Sequence, residues 1–134
     1  MKTLNTKTIG TTLLLTLFAL ALGCGYSKNT MPVQAGIMPA VTALSPSSVA
    51  AGGAGFMLEV DGTNFASNAT VTFNGVNHAA TFVSATKLQA SIPASAIMNT
   101  ATVPVTVTNP AVPGGIYGGG TRAATSSPMN FTID

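Results

Sequence analysis

The sequence predicts an all-β chain folded as a sandwich of about seven short antiparallel strands. Two observations carry this. From Pro39 onward, apolar residues recur at every second position in runs of strand length, separated by Gly, Pro and Asn breaks. No long stretch of that region has the spacing of a helix, which argues against the α/β classes. Residues 39–134 suit one domain, and no internal repeat divides them.

Pro39 to Pro46 reads as an edge strand, with prolines at its limits where a missing backbone donor is tolerated. Ser47 to Gly55 is a Ser/Gly turn segment. Phe56 to Asp61 alternates strictly, placing Phe56, Leu58 and Val60 on one face and Glu59 and Asp61 on the other. Gly62 to Phe65 then turns and carries an aromatic ring back over the core. Ala69 to Phe73 is the next strand, with Val71 and Phe73 inward. Asn74-Gly75 is a strong hairpin signal, because both residue types tolerate positive φ.

Val76 to Val83 is expected to hold a return strand and a further edge, with Phe82 or Val83 inward. Leu88, Ala90 and Ile92 alternate until Pro93 stops the ladder, and Ala94 to Met98 could form a single helical turn. Val103, Val105 and Val107 alternate with outward threonines up to the break at Asn109-Pro110. Met129, Phe131 and Ile133 supply the last strand. β-Branched threonine on the outer faces suits an extended backbone.

The first 23 residues read differently, as an export signal. Lys2 and Lys7 form a basic start, Leu13 to Leu22 is an apolar run, and Gly23-Cys24 follows. The run is short for a membrane span; a buried N-terminal helix is the plainer reading, but nothing downstream supplies a helical partner. Cys24 is the only cysteine, so the chain forms no internal disulfide. Residues 24–38 then read as a flexible spacer.

Across all 134 residues there are five Lys+Arg and three Asp+Glu. Lys2 and Lys7 belong to the proposed signal, which leaves Lys28, Lys87 and Arg122 against Glu59, Asp61 and Asp134, a net charge of zero. That removes the electrostatic case for nucleic-acid binding. One histidine and three acidic residues also leave little material for acid–base or metal chemistry. Glu59 and Asp61 share a strand face about 7 Å apart, a spacing not unlike that of some glycosidase pairs, but on an open sheet they read as solvated charges. His78 has no second histidine or cysteine near it in sequence, so neither a metal nor any other cofactor is expected.

Two resemblances sharpen this reading. Ala21-Leu22-Gly23-Cys24 resembles a bacterial lipoprotein processing box, in which the cysteine becomes the lipidated first residue of the mature chain. The match departs from the usual pattern, since Ala21 stands where leucine is most common. The resemblance implies a membrane partner through a lipid anchor on Cys24. Gly25 after the cysteine leans toward the outer membrane of a two-membrane bacterium, and without lipidation the chain would be secreted with a free thiol.

The second resemblance runs through Ser45-Pro-Ser-Ser, Ala51-Gly-Gly, Leu58-Glu-Val-Asp-Gly-Thr-Asn-Phe65, Val71-Thr-Phe-Asn-Gly-Val76, Thr86-Lys-Leu-Gln-Ala-Ser-Ile-Pro93, Ala101-Thr-Val-Pro-Val-Thr-Val-Thr-Asn109 and Asn130-Phe-Thr-Ile133. In this order and spacing they resemble the IPT/TIG family, which implies an immunoglobulin-like β-sandwich and brings no catalytic residues. Members occur in cell-surface receptors, polysaccharide-acting enzymes and bacterial surface proteins.

The departure from the family is Pro110 to Pro128, a Gly-rich insertion of about 19 residues where a short turn is usual. Tyr117 and Arg122 are its aromatic and its cation. Three readings of function follow. The first is a non-catalytic, lipid-anchored envelope module for spacing, structure or weak protein or glycan contact. The second is a binding module that recognises a polysaccharide or an envelope protein through Tyr117 and Arg122. The third is a self-associating surface protein, since low charge and threonine-rich edges do little to deter strand pairing.

Overall fold

A computed structural model describes residues 31–134. Cys24 and the proposed signal lie outside the described residues. Nine strands form, β1 (Ala40–Ser45), β2 (Ser48–Val49), β3 (Phe56–Thr63), β4 (Thr70–Phe73), β5 (Val76–Ser84), β6 (Lys87–Ile92), β7 (Ala101–Asn109), β8 (Ala124–Thr125) and β9 (Met129–Ile133). Two of them, β2 and β8, are only two residues long. The remaining seven are those the alternation foretells. Ala94–Ile97 forms one turn of 3-10 helix that buries Ile97.

The strands make two layers. One sheet runs β1-β3-β6-β5, and the other runs β5-β4-β7-β9-β2, with β8 extending the end of β7. β5 belongs to both. Its residues 76–79 pair with β4, and 80–84 pair with β6. The chain also changes layer after β1, because β2 leaves the first sheet to run parallel to β9. That parallel pair is a feature the sequence reading passed over as turn.

The core lies between the layers. Leu58, Val60, Leu88, Ala90 and Ile92 of one sheet meet Val71, Phe73, Val105, Val107 and Phe131 of the other, all buried. Three rings tie the layers together. Phe131 stacks on Phe56 of the opposite sheet at 5.6 Å and meets Phe73 edge-on at 5.3 Å. These are the separations at which aromatic pairs gain beyond simple area burial.

Local chemistry sets the turns. Asn74 and Gly75 take φ of 48° and 80°, the paired left-handed geometry that matches the twist of a hairpin. Gly62 has a different reason. A Cβ there would run into the Ala40 carbonyl and the Phe65 ring, so the residue that lets β1 and Phe65 close on β3 must lack a side chain.

Two inward assignments need correction. Phe82 lies opposite Leu88 and shares its face, yet β5 is the outermost strand of that sheet, so Phe82 stays 39 % exposed. Val83 falls in a register shift between Phe82 and Ser84 and is 51 % exposed. Where β5 crosses layers it is Ala80 that packs on the core. A second register shift interrupts β1 between Val41 and Ala43. Both outer strands of this sheet are thus kinked, which opposes the addition of a further strand.

The stretch from Pro110 is also more ordered than a free loop. Ser126 donates its backbone N–H to the Val107 carbonyl (2.8 Å), and its hydroxyl accepts the Val107 N–H (3.0 Å). Residues 124–126 therefore continue the sheet, and the excursion proper covers 110–123. Val112 and Thr121 exchange backbone hydrogen bonds of 2.9 Å across its base. The end of the expected spacer lies beside it. Gln34 donates to the Gly120 carbonyl and accepts from the Arg122 N–H, both at 3.0 Å.

Candidate functional site

Asp61 and Glu59 project from the outer face of β3, as the alternation requires, opposite Lys87 and Gln89 of β6. The register puts one cation between two carboxylates. Lys87 Nζ lies 2.6 Å from Glu59 Oε1 and 3.5 Å from Asp61 Oδ1, and Gln89 Nε2 donates to Glu59 Oε2 at 3.3 Å. The hydrogen bond from Lys87, followed by that from Gln89, holds the Glu59 carboxyl below its usual range. The reciprocal bond to Glu59, ahead of the field of Asp61, holds the Lys87 ammonium above its own.

A lowered Glu59 carboxyl is not a proton donor poised near neutrality. The contribution of Glu59 to stability is present above the ordinary glutamate value and is lost as pH falls through its depressed one. Denaturation midpoints measured between about pH 5 and pH 3 should therefore fall further for the natural chain than for Glu59→Gln. Parallel curves for the two would contradict the pairing.

His78 sits on β5, half-buried, with its ring edge-on to Phe73 at 6.4 Å. Its Nε2 is buried and has no hydrogen-bond partner among the described residues. Among those residues no three His, Cys, Asp or Glu side chains come together as metal ligands do.

An apolar recess lies at the end of the sandwich where β3 and β7 finish. A groove of about 360 Å³ is bounded by Ile37, the Asn64–Ala66 turn, Asn109–Pro110, Val112, Thr121 and Arg122. Its walls are largely apolar, and among the described residues that line it Arg122 is the one ionisable side chain. Tyr117 stands apart from it, 80 % exposed in the turn closed by the Gly118 N–H bonding to the Gly115 carbonyl. The structure therefore does not gather Tyr117 and Arg122 at one point: Arg122 borders the groove and Tyr117 caps the tip of the excursion.

Asn109 braces the groove. Its Oδ1 accepts the Ala66 N–H at 2.9 Å, and its Nδ2 donates to the carbonyls of Ile37 (3.0 Å) and Asn64 (2.8 Å). Sequence reasoning treated this residue only as a strand break. The alternation of Val103, Val105 and Val107, continued one step, places position 109 on the buried face. A polar residue there has to find internal partners.

The family profile described as "IPT/TIG domain" matches residues 39–133. The chain belongs to the IPT/TIG family. No curated protein and no solved structure matches it significantly. IPT/TIG domains are immunoglobulin-like modules that are generally non-enzymatic, and the roles of individual residues fit that frame. Gly62, Phe65 and the Asn74-Gly75 turn shape the module, while the 110–123 excursion and the strand-like 31–34 segment add the groove at one end.

Proposed function

We propose that this IPT/TIG domain is a non-catalytic module of a bacterial cell envelope, held to a bilayer by lipid on Cys24 and serving spacing, envelope structure or weak protein or glycan contact. The observation that carries the non-catalytic reading is the engagement of both clustered carboxylates by Lys87 on an open sheet face. The anchor is supported by the order of basic start, apolar run and Gly23-Cys24 in the sequence. Chemically, the thiol of Cys24 can carry a thioether-linked lipid, and several acyl chains together make such attachment lasting. Gly25 favours the outer membrane.

The mass of the N-terminal peptide from membrane-fraction protein tests this. The expected peptide begins at Cys24 and carries acyl chains. A peptide that begins elsewhere, or a Cys24 with an unmodified thiol, would overturn the anchor.

A further inference from the structure

Of the twelve large apolar side chains that the described residues leave exposed, seven fall in residues 31–38 and 110–122, at one end of the domain. Met31, Val33, Ile37, Val112, Ile116 and Tyr117 are all exposed, Ile116 to 93 % and Met31 to 64 %. They come from two segments joined to each other, with Met31 bridged to Gly118 and Gln34 to Thr121. This is the end at which the described chain begins and from which β1 runs away. The Asn74-Gly75 turn and Met98 lie at the opposite end, around a separate cleft with Ala101 and Ile133. An isolated exposed apolar residue needs no explanation, but a contiguous group of them marks a contact surface.

What covers the surface follows from where the chain leads. Cys24 precedes Met31 by seven residue steps, a reach of at most about 25 Å for extended backbone. A bilayer that holds Cys24 therefore lies within that reach of Met31. The chemistry of the surface suits a bilayer. Ile, Val and Met side chains partition into the headgroup–acyl boundary, and tyrosine is favoured at headgroup level. Arg122, unlike Lys87, has no carboxylate partner among the described residues, so its guanidinium is available to a phosphate. A tether makes the contact intramolecular in effect, so a weak intrinsic affinity suffices.

We propose that the surface formed by residues 31–38 and 110–122 seats the domain on the lipid bilayer, with Ile116, Val112 and Met31 at the headgroup–acyl boundary and Arg122 on lipid phosphate. This rests on the anchored reading given above. The seat fixes the orientation of the sandwich, with the Asn74-Gly75 end turned away from the membrane.

The test uses the full chain purified from membranes and reconstituted in vesicles of phosphatidylethanolamine and phosphatidylglycerol. Ile116→Cys and Met98→Cys are labelled with an environment-sensitive fluorophore, and nitroxide-bearing lipid is the quencher. Both positions are exposed, so neither change threatens the fold. The expected result is a blue-shifted, lipid-quenched label at position 116 and a water-like label at 98, while the natural chain takes up no label because the Cys24 sulfur is held in the thioether to the lipid. A water-like label at 116 with Cys24 blocked overturns the seat and leaves the anchor standing. A blue shift at 116 without lipid quenching indicates contact with a second copy and also overturns it. Labelling of the natural chain at Cys24 shows a free thiol, and both readings fall together.

Discussion

Phe131→Ala lowers the unfolding free energy by about 4 kcal/mol, the largest single loss expected in the domain. The ring is fully buried in β9 and links the layers, stacked on Phe56 and edge-on to Phe73. Truncation removes the transfer free energy of the ring and leaves a cavity between two sheets that cannot close without shifting their strands. It also ends both aromatic contacts. Urea denaturation checks this: the midpoint should fall with the slope unchanged, since the surface exposed on unfolding hardly alters. Val76→Ala, at an exposed position, should stay within about 0.5 kcal/mol of the natural chain. A comparable loss at both positions would mean that the aromatic trio is not the link between layers.

Asn109→Ala is expected to cost about 3 kcal/mol. It strips the partner from the Ala66 N–H and from the carbonyls of Ile37 and Asn64 in one step. Each group must then be hydrated by opening the groove or remain unpaired. Asn109→Asp is more telling. It keeps an acceptor for the Ala66 N–H but turns a carboxylate toward two carbonyl oxygens, so its penalty at neutral pH should match or exceed that of alanine. The penalty should shrink in acid, where the protonated carboxyl regains one donor. Hydrogen exchange at the Ala66 amide reports the same event locally, and protection that survives in Asn109→Ala would refute the brace.

The same residue shows where sequence reasoning reaches its limit. Asn109-Pro110 reads as punctuation because local chemistry makes Asn and Pro strand breakers. Its role depends on Ile37 and Asn64, which are distant in the chain and brought to it only by folding. Phe82 illustrates the limit differently. Alternation left the inward face open between Phe82 and Val83; the pairing of Phe82 with Leu88 settles it, and its exposure follows because residues 80–84 of β5 pair only with β6. Glu59 and Asp61 were placed on one face by spacing alone, whereas their sharing of Lys87 is set by the register of β3 against β6.

The sequence by itself determined the seven longer strands, the hairpin at Asn74-Gly75, most of the buried face and the scarcity of chemistry-bearing side chains. These follow from short-range rules: a two-residue period, the φ that Asn and Gly tolerate, and the number of charges available. Only the tertiary structure decided that β5 serves both layers, that β2 runs parallel to β9, and that the segment before Pro39 lies against the 110–123 excursion to frame a groove. Those features are hydrogen bonds and contacts between residues far apart in sequence. Their free energy depends on which partners the whole fold makes available, and no local window of the chain contains both sides of the pair.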